Sequence, residues 1–263
     1  LALDVRFENG LFIIDTSNGP VRAQRILLAS GGLSFPSLGA SGFGIKTARK
    51  FGLNILEQRP ALAGLTLPKN LRERFAKLAG SSVKAAVSCG KHTFEEQLLF
   101  THEGVSGPAV LQASLYWTPG QAVEINFLPG ADAGALLRTQ KNANKTFSAA
   151  LAPELSAKIA KTVLGPLERD LPNASRAELD AASAAVNRFT FVPQGTSGYT
   201  RAEVTAGGVD TREINPVTLE ARRVPGLYLA GELLDVTGRL GGFNLQWAWS
   251  SGYAAAQALE KQF

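Results

Sequence analysis

The feature that most constrains this chain is a predicted strand, a glycine-rich loop and a helix that follow one another in residues 226–253. The apolar run at 227–230 comes directly after a proline–glycine turn, which predicts a short strand buried on both faces. Gly231 then lets a ligand approach the backbone, and Glu232 places a carboxylate at the carboxyl end of the strand. The pattern predicts a ligand site at this strand end.

A helix is predicted to follow the loop at about 245–260, with Gly241, Gly242 and Asn244 just before it. The free backbone N–H groups and the positive dipole end of such a helix favour an electron-rich ligand atom. A carboxylate and a helix N-terminus together suit a flavin. The carboxylate can bind ribityl hydroxyls, and the helix N-terminus can bind the pyrimidine carbonyl of the isoalloxazine ring.

Further glycine-rich blocks occur in a fixed order along the chain. The segments are ASGGLSFP at 29–36, LFTHEGVSGP at 99–108, AEVTAGGV at 202–209, PGLY at 225–228, GE at 231–232 and GGFNLQWA at 241–248. Together they resemble the BaiN/YhiN-like flavoproteins, often labelled aminoacetone-oxidase-family FAD-binding proteins. The resemblance implies an α/β fold in which a Rossmann-like, three-layer FAD/NAD(P)-binding domain carries an inserted domain of a β-barrel plus helices.

The resemblance also implies a domain organisation. Residues 1–61 are expected to form the first part of the FAD-binding domain, 62–192 the inserted substrate-side domain, and 193–263 the C-terminal part of the FAD-binding domain. The family begins with a Gly-x-Gly-x-x-Gly fingerprint, which this sequence lacks, and the chain contains no methionine. We therefore expect an incomplete domain whose N-terminal βαβ unit is missing. Such a fragment alone is expected to bind FAD weakly or not at all and to be inactive.

Site residues follow from the resemblance, position by position. Ser30 stands where most family-like sequences have threonine, so the hydroxyl is kept. The implied cofactor-binding residues are Ala29, Ser30, Gly31, Gly32, Gly231, Glu232, Gly241, Gly242, Phe243, Asn244, Leu245 and Gln246. The substrate-side candidates are Ser106, Thr205, Gly207 and Gly208.

Few side chains offer acid–base or metal chemistry. His102 lies beside a glycine turn, where it could deliver or hold a proton opposite the hydride; a packing or hydrogen-bonding role is the alternative. His92 is expected to be exposed in a turn. With two isolated histidines and Cys89 as the single cysteine, neither a metal site nor an intrachain disulfide is expected. The lone cysteine fits a cytoplasmic location.

Charge and hydropathy limit the expected partners. The net charge is +5, from 27 Lys and Arg against 22 Asp and Glu, but no uninterrupted basic tract occurs. We therefore expect a small-molecule substrate and no nucleic acid. No apolar run approaches the roughly 18 residues of a membrane helix, so no membrane partner is expected. The oligomeric state is left open.

Local patterns predict several elements outside the site. Asn-Gly pairs at 9–10 and 18–19 predict two tight turns in a small antiparallel meander. A helix is expected at 43–51, and the run 132–187 is helical in pattern. Ser106 is expected to cap a helix that starts with Gly-Pro.

Further predictions concern two of the helices. Ser175 with Glu178 predicts a capping box ahead of an alanine-rich helix. Trp247 and Trp249 lie two positions apart and point to different sides of the last helix, and core packing is the expected role of both.

These observations lead to a functional expectation. The resemblance implies an FAD-dependent oxidoreductase that transfers a hydride between NAD(P)H and an organic substrate. BaiN-type members suggest reduction of a carbon–carbon double bond conjugated to a ketone. Two alternatives stay open: an amine oxidase-type flavoenzyme, and a flavin-fold protein that binds a partner without turnover.

Overall fold

A computed structural model describes residues 1–260 of the chain, so residues 261–263 of the predicted C-terminal segment lie outside the described part. In chain order the strands are β1 (Ala2–Glu8), β2 (Leu11–Thr16), β3 (Gly19–Ala23), β4 (Ile26–Leu28), β5 (Ile55–Ala61), β6 (Leu65–Thr66), β7 (Ser82–Cys89), β8 (His92–Phe100), β9 (Gly104–Ser106), β10 (Val123–Asn126), β11 (Phe189–Phe191), β12 (Gly195–Thr196), β13 (Val204–Val209) and β14 (Leu227–Leu229). The α-helices are α1 (Phe43–Lys50), α2 (Lys69–Phe75), α3 (Pro108–Ser114), α4 (Ala133–Thr139), α5 (Phe147–Leu151), α6 (Ala157–Leu164), α7 (Arg176–Asn187) and α8 (Phe243–Glu260).

The chain divides into two compact units. The first unit consists of Leu1–Ala61 together with Tyr199–Phe263, and the second is the intervening segment Leu62–Gly198. Each unit has its own cluster of buried apolar side chains. Residues 193–198, expected to belong with the first unit, stay with the second because β12 pairs with β6 in an antiparallel ladder.

The first unit opens with the predicted meander. Strands β1, β2 and β3 pair in sequence order as an antiparallel sheet. At the first turn Asn9 and Gly10 both have positive φ, at 51° and 80°. Two successive positive φ angles are what a tight hairpin turn requires, and Asn-Gly tolerates them. The prediction from the Asn-Gly pairs is confirmed.

Two non-local strand pairs form the rest of the sheet structure in the first unit. Strand β4 pairs with β14 in parallel, and β5 pairs with β13 in antiparallel orientation. All three residues of β14 are buried, and Tyr228 at its centre is fully enclosed by the apolar cluster. The strand predicted just before Gly231 is therefore present and buried on both faces.

The glycines of β13 lie within the strand, where a strand followed by a sharp glycine turn was expected. The register of the β5–β13 ladder shifts between Ala206 and Gly208, which marks a β-bulge. Gly207 has φ of 83°, and a Cβ at this position would clash with the carbonyl oxygen of Glu57 on β5. Only glycine allows this close approach of the two strands.

The second unit is built on a seven-stranded antiparallel sheet. Its strand order is β11-β10-β7-β8-β9-β6-β12, which is linear, so the described strands form an open sheet where the resemblance implied a barrel. Helices α4 to α7 follow β10 along the chain, as the helical pattern of 132–187 predicted. Apolar side chains of the sheet and of these helices share one buried cluster.

Two capping predictions in the second unit have opposite outcomes. The capping box of α7 is confirmed, because Ser175 Oγ accepts from the Glu178 N–H while the Glu178 carboxylate accepts from the Ser175 N–H. The Ser106 cap is wrong. Ser106 is the last residue of β9, and the residue that precedes α3 is Gly107, with φ of 87°. A Cβ on Gly107 would lie 2.7 Å from the Gln97 carbonyl oxygen, so the chain turns there on glycine.

Candidate functional site

The candidate cofactor site lies where the two parallel strands of the first unit end. Because β4 and β14 run in the same direction, the loops after Leu28 and Leu229 leave the sheet at the same edge. A Cβ built on Gly32 would lie 2.7 Å from Oε1 of Glu232, so these two loops are in direct contact. The structure therefore brings together two segments about two hundred residues apart that the sequence assigned to one site.

Glu232 is held at this edge by a backbone hydrogen bond. Its Oε1 accepts from the Thr205 N–H at the start of β13, which fixes one side of the carboxylate. Glu232 is only partly buried, so the carboxylate keeps an open side. A carboxylate fixed at one oxygen and open at the other can accept hydrogen bonds from ligand hydroxyls.

Thr205 is enclosed, with 1% of its surface exposed. Its Oγ1 accepts from the N–H of Leu33 at 2.8 Å and from the N–H of Ser34 at 3.1 Å. The Thr205 hydroxyl, expected on the substrate side, thus serves the loop that follows β4. Gly207 and Gly208 are buried in β13 beside it.

Glycines leave open space around the two loops. Gly31, Gly231 and Gly242 have φ of 70°, 69° and 84°, a region of backbone conformation that favours glycine. A Cβ on Gly31 or on Gly242 would meet no atom within 4 Å, so neither position is filled by the protein. Open backbone at these positions leaves room for a ligand, in agreement with the FAD that the resemblance implies.

The N-terminus of α8 is tied to the same strand end. Trp247 Nε1 donates to the carbonyl oxygen of Gly231 at 3.0 Å, and the Gly231 N–H donates to Ser251 Oγ at 2.9 Å. Asn244 closes the preceding loop, because its side chain accepts from the Gly238 N–H at 2.8 Å and donates to the Gly238 carbonyl at 3.0 Å. Asn244, expected to contact the cofactor, therefore uses its amide group to shape the loop.

The helix begins at Phe243, about two residues earlier than predicted. Its first backbone N–H groups lack partners within the helix, so they and the dipole remain available to an electron-rich atom. Phe243, Leu245 and Gln246 are exposed at this end. Thr237 Oγ1, in the loop before α8, is buried with no hydrogen-bond partner among the described residues.

The remaining candidates lie in the second unit. His102 is exposed on the turn between β8 and β9. That turn is closed by the Thr101 N–H donating to the Gly104 carbonyl at 2.8 Å and by the Gly104 N–H donating to Thr101 Oγ1 at 3.0 Å. Ser106 is half-buried in β9. The His102 imidazole is exposed to solvent on this closed turn.

An open cavity in the second unit, of about 460 Å³, is lined by polar side chains of α4 and α7. Arg138 in its wall pairs with Asp180 at 3.3 Å and with Asp132 at 3.6 Å. Arg138 is thus paired with two carboxylates in the wall of this cavity.

Sequence reasoning missed several residues that shape the site. Asp235 accepts from the Gly207 N–H at 3.2 Å and steadies the bulge of β13, and Ser251 anchors α8 to Gly231. These contacts join residues 20 or more positions apart, and no local pattern marks them. In the described part of the chain, no group of three or more His, Cys, Asp or Glu side chains could hold a metal ion, and no helix is long and apolar enough to cross a membrane.

Comparison with known proteins places this geometry in a family. The HI0933-like protein Rossmann domain matches residues 3–258, which is nearly the whole chain. The chain belongs to the HI0933-like family. The resemblance to Rossmann-type flavoproteins is thereby confirmed at the level of the family.

Named relatives share much of the sequence. The chain is 46% identical over 256 residues to the ribosomal RNA dihydrouridine synthase of Escherichia coli K12, covering 94% of this chain. It is 38% identical over 258 residues to the protein of that name from Haemophilus influenzae Rd, covering 95% of this chain. It is 35% identical over 267 residues to the 3-dehydro-bile acid delta(4,6)-reductase of Clostridium scindens, covering 94% of this chain. The chain spans 64% of the length of each of these relatives.

The names of these relatives bear on two expectations. All three are named as enzymes, and one is named a reductase, in line with an oxidoreductase. Two of the names refer to ribosomal RNA, which does not fit the expectation of no nucleic acid partner. The even spread of positive charge along the chain, on which that expectation rested, gives no local sign of an RNA substrate.

Proposed function

We propose that this chain is the larger part of an FAD-dependent reductase that saturates a carbon–carbon double bond conjugated to a carbonyl group, and that its substrate is a uridine of ribosomal RNA. The observation that carries the proposal is the chemistry shared by two kinds of relative. Dihydrouridine differs from uridine by saturation of the C5=C6 bond beside the C4 carbonyl, and a 3-oxo bile acid with delta(4,6) unsaturation is likewise a conjugated ketone. One flavin site serves both.

The substrate class is chosen by the degree of similarity. The relatives named for ribosomal RNA are 46% and 38% identical to this chain, and the bile-acid reductase is 35% identical. A small enone is then the second substrate class to test.

The site supports a bound flavin in three ways. Glu232 is partly exposed and carries a carboxylate that can accept hydrogen bonds from ribityl hydroxyls, and a Cβ on Gly31 would meet no atom within 4 Å. The N-terminus of α8 offers N–H groups and a positive dipole end to the pyrimidine carbonyl. When bound, FAD supplies the hydride that NAD(P)H delivers to it.

The reduction also needs a proton. In uridine the hydride adds at C6 and a proton at C5, the carbon next to the carbonyl, so that the two hydrogens saturate the double bond. His102 is kept as the candidate donor, because its imidazole is exposed on a closed turn.

We further propose that these residues form only part of the FAD site, the remainder belonging to the rest of a full-length protein. The chain spans 64% of its relatives, and it carries no Gly-x-Gly-x-x-Gly segment for the FAD pyrophosphate. The outer side of α8 supports this, since Leu245, Trp249 and Tyr253 are 71%, 79% and 69% exposed. Apolar side chains grouped on one helix face are typical of a packing surface.

The test uses the full-length protein with FAD and NAD(P)H on ribosomal RNA from cells that lack the protein. The RNA is digested to nucleosides, and dihydrouridine is measured by mass spectrometry. We expect dihydrouridine to form only when protein and reduced nicotinamide are both present. If neither NADH nor NADPH reduced the bound flavin, the assignment as an oxidoreductase would be contradicted. Reduction of a steroid enone with no change in RNA would replace the RNA substrate by the second class.

A further inference from the structure

We propose that Thr205 is a positioning residue of the cofactor site, which fixes the glycine loop after β4 and the Glu232 carboxylate in one arrangement before FAD binds. The inference rests on the proposed function, since it concerns the same flavin site. It assigns to a buried hydroxyl the task of shaping two loops that themselves face the ligand.

The Thr205 hydroxyl uses all of its hydrogen-bonding positions within the protein. A threonine hydroxyl has one donor and two acceptor positions. The N–H groups of Leu33 and Ser34, at 2.8 Å and 3.1 Å from Oγ1, take both acceptor positions. The hydroxyl hydrogen is then left for Ser34 Oγ, which lies 3.2 Å away. The loop after β4 is therefore held through its backbone N–H groups, which do not depend on the side chains of Leu33 and Ser34.

The backbone of Thr205 acts on the second loop. Its N–H donates to Oε1 of Glu232, so the same residue that holds the loop at 33–34 also orients the carboxylate after β14. Glu232 is only partly buried, so its carboxylate can also accept from a ribityl hydroxyl. Thr205 itself does not need to touch the ligand, and with 1% of its surface exposed it is not placed to do so.

Gly32 shows how closely these parts fit. A Cβ at this position would lie 2.5 Å from Thr205 Oγ1 and 2.7 Å from Glu232 Oε1, distances that real Cβ atoms do not show. The loop backbone thus rests directly on the threonine and the carboxylate at one point. A site whose parts are fixed in advance binds its ligand with a smaller entropic cost.

Substitution by valine separates the hydroxyl from the shape of the side chain. Thr205→Val keeps the branched side chain but removes the acceptor, which leaves the Leu33 and Ser34 N–H groups without their partner in a partly buried place. Thr205→Ser keeps the hydroxyl. Thr162→Val is the matched control in the second unit, where a hydroxyl 2% exposed donates to the Lys158 carbonyl at 2.8 Å.

The test is made on the full-length protein with two readouts. Hydrogen exchange of the Leu33 and Ser34 amides is followed without FAD, and the dissociation constant for FAD is measured by titration. We expect Thr205→Val to speed exchange at both amides and to weaken FAD binding by about tenfold, because two N–H groups of the loop lose their acceptor. Thr205→Ser should restore both values, and Thr162→Val should change neither.

Several outcomes would overturn the inference. Wild-type FAD affinity in a folded Thr205→Val protein would show that the hydroxyl does not position the site. Equal losses in Thr205→Val and Thr205→Ser would show that side-chain shape, and not the hydroxyl, is responsible. Failure of the unsubstituted protein to bind FAD would overturn the proposed function as well, and it is recognised before any variant is made.

Discussion

Helices α7 and α8 are both alanine-rich, but they expose different kinds of side chain to solvent. Helix α7 buries Leu179, Ala182 and Val186 on one side and exposes charged residues such as Arg176 and Asp180 on the other. Helix α8 has one charged residue in its 18 described positions, Glu260 at the end. Helix α7 is therefore an amphipathic surface helix with one apolar and one polar face, whereas α8 carries apolar side chains on both sides.

The contrast extends to the units that hold the two helices. In the second unit, sheet and helices enclose one large apolar cluster, and α7 contributes its buried stripe to it. In the first unit, Ser251 and Ala255 are the residues of α8 classed as buried, while Trp249 and Tyr253 face outward. The apolar outer face of α8 is therefore the surface that the proposed function assigns to contact with the rest of a full-length protein.

The sharpest way to break this comparison is to truncate the outer face of α8. Trp249→Ala should change the free energy of unfolding by less than about 0.5 kcal/mol in the present chain, because the side chain is exposed. In the full-length protein the same change should cost about 3 kcal/mol, the effect of removing a buried aromatic side chain. Denaturant titration of both proteins measures this. Small effects in both would contradict the covered face.

The buried stripe of α7 gives the next largest effect. Leu179→Ala should destabilise the second unit by about 2–5 kcal/mol in the present chain and equally in the full-length protein, since the packing around it is already complete. The matched control is Leu245→Ala on α8, whose side chain is 71% exposed here and should cost little in the present chain. Similar losses for the two leucines in the present chain would remove the distinction between the helices.

A smaller effect is expected from the capping box of α7. Ser175→Ala removes the acceptor for the Glu178 N–H and should cost about 1 kcal/mol. Ser156 precedes α6 without a side-chain capping bond, so Ser156→Ala should be nearly neutral. Thermal unfolding of the two variants compares them directly. Equal shifts in Tm would mean that the box does not stabilise α7.

The smallest expected effect is a difference between the two units in how their stability depends on pH. Hydrogen bonds from the Arg212 side chain and N–H lower the pKa of Asp210, which is buried in the first unit. A carboxyl with a lowered folded-state pKa contributes stability above its ordinary pKa of about 3.9 and loses it as the pH falls further. Asp210→Asn should therefore flatten the loss of stability of the first unit as the pH falls below about 4 toward the lowered pKa of Asp210.

The control for this pH effect is in the second unit. The Ser175 N–H lowers the pKa of Glu178, so Glu178→Gln should flatten the acid response of that unit instead. Denaturant midpoints measured across the pH range, with a probe in each unit, compare the two variants. An unchanged acid response in Asp210→Asn would show that the carboxylate adds nothing to the fold.

Local sequence signals predicted the elements that depend on a few neighbouring residues. The Asn-Gly turns, the strand before Gly231, α1 and the capping box at Ser175 are present because each is decided by backbone propensity or by a side chain within one turn. The predicted Ser106 cap was wrong because the turn into α3 needs a positive φ, which glycine adopts more readily than serine. Gly107 therefore precedes the helix, and Ser106 stays in β9.

Contacts between residues far apart in the chain could not be predicted from local sequence patterns. The bulge in β13 depends on β5, about 150 residues earlier, and the role of Thr205 depends on a loop 171 residues away. Trp249 was expected in the core because the sequence shows that it is apolar, but not which side of the helix is packed. The glycines and Glu232 were predicted as site residues because they carry the family resemblance, whereas nothing in the sequence pointed to Asp235 and Ser251.

The central claim is that the strand ends of β4 and β14 with the N-terminus of α8 hold FAD. The most direct measurement is the visible absorption spectrum of the purified full-length protein, compared with its Glu232→Gln variant and with Glu203→Gln, which changes an exposed carboxylate outside the site. The account predicts bound flavin in the wild type and in Glu203→Gln, and weaker retention in Glu232→Gln. A folded, colourless wild-type protein that cannot be reconstituted with FAD would contradict it.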